Sequence, residues 1–110
     1  MIIDFKDIAE VRINGFKGGQ GELDTRNFAD EKVKIMKSIL KPGACSGLHT
    51  HEGNCEVMYI LKGELTYHYD GKIEVAHAGQ VHYCPMGHNH YFENLTNEDV
   101  EYLAIVPEHH

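Results

Sequence analysis

From Val33 onward, apolar and polar side chains alternate in short runs broken by turn residues, the period-two signature of β-strands. Val33–Leu40 is β-rich and stops at Lys41-Pro42-Gly43. In Cys55–Lys62, Glu56, Met58 and Ile60 share one face, and Val57, Tyr59 and Leu61 share the other. Both faces are largely apolar. A strand in a small sandwich or barrel needs one buried face, so the second predicts a dimer contact or cover by the N-terminal arm. Leu65, Tyr67 and Tyr69 alternate with Thr66 and His68, and Asp70-Gly71 then marks a hairpin. Ile73 and Val75 are expected to continue the apolar face on the return strand. Val81–Cys84 is a short strand closed by Pro85-Met86-Gly87. His90, Phe92 and Asn94 alternate with Tyr91 and Glu93, and Val100–Val106 is a last strand ended by Pro107. No convincing 3.6-residue period appears after Val33. The pattern predicts an all-β sandwich or barrel.

Residues 1–31 carry less pattern. Ile2, Ile3, Phe5 and Ile8 suit an N-terminal arm or edge strand. Gly15, Gly18, Gly19 and Gly21 predict a loop or bulged strand, read as a flexible connection. No strand precedes these glycines and no GK[ST] follows, so they form no phosphate-binding fingerprint.

The 110 residues make one domain, 1–110. Seventeen acidic against ten basic residues give a formal charge of −7. Without a Lys/Arg cluster, neither nucleic acid nor an anionic membrane is expected as a partner. No apolar run reaches the length of a membrane span, and the N-terminus lacks the basic start of a signal peptide. Cys45, Cys55 and Cys84 form no CxxC pair, which fits a reducing cytoplasm. His109 and His110 resemble a tag remnant and are set aside.

Histidine, at nine copies, changes the picture. His49 and His51 sit at i and i+2, on one face of a strand. Glu56 follows the turn Glu52-Gly53-Asn54 and is expected to aim a carboxylate at them from the next strand. Two imidazoles and a carboxylate converging on one point describe a divalent-metal site. The full spacing is Gly43, five residues, His49-x-His51, four residues, Glu56, six residues, Gly63. A second block reads Gly79, five residues, Pro85-x-Gly87, two residues, His90, three residues, Asn94.

These blocks, residues 43–63 and 79–94, match the two motifs of the cupin superfamily position for position, and the chain resembles a small single-domain microbial cupin. The resemblance implies a jelly-roll β-barrel with a metal inside one end, held by His49, His51, Glu56 and His90. Many cupins carry Asp after the second motif's first glycine; here it is Gln80, not a ligand position. Three imidazoles and a carboxylate suit Mn(II), Fe(II), Co(II), Ni(II) or Zn(II), with two open positions if the ion is octahedral. Gly43, Gly63, Gly79 and Gly87 fall at turns where positive φ or close backbone approach is expected. Asn94 is expected to close a turn through its side chain.

Tyr67, on the expected inner face near the barrel mouth, is a candidate acid/base or hydrogen-bond donor, set against a core tyrosine with a satisfied hydroxyl. His82 is a second catalytic candidate. It shares a face with Cys84, and parity alone does not decide whether that face or the Val81/Tyr83 face lines the pocket. His88 reads as a surface histidine, and Cys55 points away from Glu56. Three classes of function follow. The first is a metal-dependent enzyme acting on a small polar substrate: a sugar or organic-acid isomerase, epimerase or lyase, or an iron-dependent dioxygenase. The second is a non-catalytic small-ligand or sensor module, and the third a structural protein with a closed metal site. A homodimer is expected through the outer face of Cys55–Lys62.

Overall fold

Among residues 1–109, which the computed structural model describes, ten strands form; His110 lies outside the described residues. They are β1 (Val11–Asn14), β2 (Glu22–Ala29), β3 (Val33–Leu40), β4 (His49–Thr50), β5 (Glu56–Lys62), β6 (Glu64–Tyr69), β7 (Lys72–His77), β8 (Val81–Cys84), β9 (Asn89–Glu93) and β10 (Val100–Pro107). A six-stranded sheet has the order β1-β2-β3-β10-β5-β8, and a four-stranded sheet the order β4-β9-β6-β7. All pairings are antiparallel. The two sheets face each other as a jelly-roll sandwich whose edges do not fully close.

Alternation explains the core. Met58 and Ile60 of β5, Leu65 and Tyr67 of β6, Phe92 of β9, and Val100, Tyr102 and Ala104 of β10 meet between the sheets. Central β10 pairs with β3 on one side and β5 on the other. Asp70 (φ 50°) and Gly71 (φ 79°) make the two-residue turn from β6 to β7. The four motif glycines have positive φ as expected. Gly63, at φ 91° between β5 and β6, also lies where a Cβ would press on Val100.

Three expectations change. First, residues 22–29 are a strand, β2, inside the large sheet, where no strand was expected. The Gly-rich segment before it is a packed wall and not a loose connection. It carries a short 3-10 turn at Phe16–Gly18 and pairs Gln20 with Cys45 through two backbone hydrogen bonds. The Gly47 amide donates to the Phe16 carbonyl at 3.0 Å, and a Cβ at Gly47 would overlap the Lys17 carbonyl oxygen. Second, Ile73 and Val75 face solvent; Ala76 is the buried residue of β7, and Glu74, on the same side by parity, stays half-exposed. β7 is an edge strand, so its outer face needs no cover. Third, the N-terminal residues do not cover β5: β1 sits at the opposite end of the sheet, and Tyr59 and Leu61 stay exposed.

Candidate metal centre

Cross-strand register builds half of the site. β4 pairs with β9 so that His49 lies directly opposite His90, and opposed residues bring their side chains together. His51 follows directly after the end of β4, its amide bonded to the His88 carbonyl. Glu56 lies on the next strand, as expected, but that strand is not paired with β4. It starts β5 in the other sheet and reaches across the interior, so the cluster bridges the two layers.

Four donor atoms converge, all within 4.8 Å of one another. Glu56 Oε1 is 3.0 Å from His90 Nε2, 3.2 Å from His51 Nε2 and 3.9 Å from His49 Nε2. His90 Nε2 lies 3.0 Å from His49 Nε2 and 3.1 Å from His51 Nε2. Cis donors about 2.1 Å from a shared octahedral ion sit about 3.0 Å apart, so this spacing fits a first-row divalent ion.

The far nitrogens explain why the near ones face inward. His49 Nδ1 donates to the Gly47 carbonyl at 2.8 Å. His51 Nδ1 donates to Asn54 Oδ1 at 2.6 Å, while the Asn54 amide nitrogen donates to Glu108 at 3.3 Å. A ring that donates through Nδ1 presents a lone pair at Nε2. Lone pairs crowded beside a carboxylate repel unless a cation or protons sit among them, and the donor set therefore fits a metal.

Charge and burial point the same way. Burial pushes the Glu56 carboxyl up, but the imidazoles of His49, His51 and His90 around it outweigh burial and hold it well below the usual carboxylate range, a negative charge that protons or a cation must balance. The bond to Glu56 raises the His51 imidazole, while burial lowers that of His90. A cavity of about 340 Å³ opens onto His49, His51 and Glu56. Its wall carries Lys17, Lys34, Asn27 and Glu52, with Phe16 and Met36 as apolar cover. His90 is fully buried behind it.

Tyr67 and His82 do not line this cavity. Tyr67, expected near the mouth, is sealed in the core, where its hydroxyl donates to Met58 Sδ at 3.5 Å and burial keeps its pKa well above 10. Its ring stacks on His82 at 3.7 Å. The His82/Cys84 face is the inward one, and Val81 and Tyr83 are exposed. His82 stands behind His90, with Nε2 3.0 Å from His90 Nδ1. His88 is a surface residue bonded to Asp70, and Cys55 is outside the cluster. Asn94 is fully buried and closes the turn before β10 through bonds to the Leu40 and Glu98 carbonyls.

Sequence reasoning missed Lys17, Asn27 and Lys34. Lys34 was within reach, because strand parity puts it on the face of Met36, Ser38 and Leu40. Lys17 and Asn27 lie in the third of the chain that carried no clear pattern.

The chain belongs to the cupin family: residues 36–106 match the cupin domain family Cupin_2. It is 35% identical over 112 residues to an oxalate-binding protein of Thermotoga maritima, covering 96% of this chain and 93% of that protein. It is 30% identical over 93 residues to oxalate decarboxylase OxdC of Bacillus subtilis, covering 79% of this chain but 24% of that protein. A Thermotoga maritima crystal structure, described as a predicted oxalate decarboxylase, superposes with a TM-score of 0.90 at 34% identity, covering 98% of this chain and 99% of that one. The chain is thus a small cupin with a three-histidine, one-glutamate cluster suited to a divalent metal.

Proposed function

We propose that this protein binds a small dicarboxylate, of the oxalate type, on a divalent transition metal held by His49, His51, Glu56 and His90. A cation bound there supplies Lewis-acid chelation for two adjacent ligand oxygens. The observation that carries the reading is the cavity wall. In a chain of net charge −7, Lys17 and Lys34 both line the cavity that reaches three of the four donors. Two ammonium groups against one wall carboxylate, Glu52, beside a metal favour an anion over a neutral sugar. Asn27 adds an amide to the same wall. The names of the two relatives support oxalate as the ligand to test first. Three unpaired cysteines support a cytoplasmic setting.

Binding is favoured over turnover because, among the described residues, the wall offers no tyrosine and no histidine beyond His49 and His51. Glu52 supports the second reading, a decarboxylase-type enzyme, since a carboxylate on the wall can carry a proton to or from a bound anion. Metal analysis and calorimetry on tag-free protein test both. A divalent ion should bind, and oxalate should bind only to the metal-loaded form, more weakly in Lys34→Ala. Formate and carbon dioxide release would decide for turnover. Failure of every divalent ion to bind, or oxalate binding unchanged by metal removal, overturns the proposal.

A further inference from the structure

His82 and Glu74 remain outside the cavity, and their hydrogen bonds lead to the metal cluster from behind. His82 Nδ1 lies 2.7 Å from Glu74 Oε1. A carboxylate only accepts, so this nitrogen carries the proton. His82 Nε2 then carries a lone pair, and it faces His90 Nδ1 at 3.0 Å. That nitrogen must therefore be an N–H. His90 Nε2 is left with a lone pair, aimed at the point where Glu56 Oε1, His49 Nε2 and His51 Nε2 meet. The opposite tautomer of His82 would set a lone pair against the Glu74 carboxylate and turn an N–H of His90 toward the cluster.

The surroundings hold this arrangement. His82 is almost fully buried, stacked on Tyr67 at 3.7 Å with Tyr69 edge-on at 5.6 Å. A neutral His82 ring is the form that accepts from His90 at Nε2 while donating to Glu74 at Nδ1. Glu74 lies on β7 and His82 on β8, the edge strands of the two sheets. A second cavity of about 230 Å³ lies along this seam, lined in part by Glu74, Gln80 and His82. The Glu74 carboxylate stands half in solvent there.

We propose that Glu74 and His82 form a positioning dyad that fixes the tautomer of His90 and strengthens its Nε2 as a metal donor, with Glu74 acting from the open seam. His49 and His51 are held by a carbonyl and an amide, which are neutral acceptors. His51 reaches a carboxylate, Glu108, only through the Asn54 amide, whereas His90 reaches Glu74 through an imidazole whose tautomer sets its own. The dyad rests on the reading of the four-residue cluster as a metal site, but it has its own test.

His82→Phe keeps a ring against Tyr67 and removes the acceptor for His90. Its dissociation constant for Mn(II) or Co(II) should rise about 10- to 100-fold, the usual effect of losing such a partner. Glu74→Ala changes only a half-exposed side chain and should weaken binding in the same direction, while Glu74→Gln, whose carbonyl still accepts, should lie closer to wild type. The Co(II) absorption spectrum should shift in His82→Phe and Glu74→Ala, although metal-free melting of Glu74→Ala stays at the wild-type temperature. Unchanged metal affinity and spectrum in both variants overturn the proposal. Long-range proton–nitrogen NMR of metal-free protein provides a readout that needs no metal. His82 as the Nδ1–H tautomer supports the dyad, and His82 as the Nε2–H tautomer overturns it, even if the wild type binds no ion.

Discussion

Asn94 shows what a single buried polar residue does here. Its Nδ2 donates to the Leu40 carbonyl at 2.9 Å and the Glu98 carbonyl at 2.7 Å. Its Oδ1 accepts from the Thr96 amide at 3.0 Å and the Thr96 hydroxyl at 2.7 Å. Every polar atom of the side chain is used, and it ties the end of β3 to the turn before β10. Alanine would leave buried acceptors without donors, at a cost of about 3 kcal/mol. Urea denaturation of Asn94→Ala should show that loss, with metal affinity of the folded protein unchanged because Asn94 does not touch the cluster. A loss under about 1 kcal/mol would mean that the backbone repairs itself with water or by shifting. Asn94 was legible because its spacing from His90 gives strand parity and its side chain suits a turn. His82 was not. In Val81–Cys84 both faces hold residues that pack well, and four positions are too few for alternation to distinguish core from an apolar outer face. Glu74 was hidden for the opposite reason: apolar Ile73 and Val75 flank it, and they are the exposed ones on this edge strand.

Among the elements, the β1–β2 pair depends on charge where the others depend on burial. Arg12 Nε and Nη2 donate to the two carboxylate oxygens of Asp24 at 2.8 and 3.0 Å, across the register pair Arg12↔Asp24. Asp24 is buried, and the bond from Arg12 outweighs desolvation to hold its carboxyl below the usual range. Its pKa is therefore lower in the folded than in the unfolded chain. The stability it contributes is complete above the unfolded value near pH 4 and is lost as pH falls through the lower folded value. Urea denaturation between about pH 6 and pH 2 should show this slope, and Asp24→Asn should flatten it while lowering stability at neutral pH. An equal slope in the variant would assign the acid sensitivity to other carboxylates. The same pair explains why the sequence was hard to read before Val33. β2 turns Leu23, Thr25 and Asn27 inward, with Thr25 bonded to Asn27 and to Ser38. A strand that builds a polar cavity wall does not show the alternation of apolar and polar residues that marks β6. The ligand set itself was legible, since four residues at fixed spacing carry it. The cavity around it was not, because its lysines and amide come from segments whose fold only the tertiary contacts reveal.

At the scale of the molecule, the large sheet has an inner face that holds the site and an outer face that stays uncovered. On the outer face, Val57 pairs with Tyr83 and Tyr59 with Val81 across β5 and β8, and Leu103 and Ile105 of β10 lie opposite Tyr59 and Val57. Ile35 of β3 extends the row opposite Ile105. Tyr59, Leu61, Val81 and Tyr83 are each at least 40% exposed. A continuous apolar face across four neighbouring strands is larger than scattered surface hydrophobics and calls for a partner. A second copy of the chain, meeting it across a two-fold axis, presents the same flat apolar surface and no excess of like charge. Burying about 800 Å² per partner would make such a dimer stable. The protein should sediment at twice its 12.5 kDa chain mass. Tyr59→Asp would place a charge at the centre of the contact without touching the core, since Met58 and Ile60 on either side of it face inward. It should give folded monomers whose metal affinity equals that of the wild type, because Glu56 leaves the opposite face of the same strand. A wild type that sediments as a monomer at high concentration, or a Tyr59→Asp protein that stays dimeric, would remove this face as the interface. The strand β5 then would serve the site alone, and its apolar outer face would need another occupant.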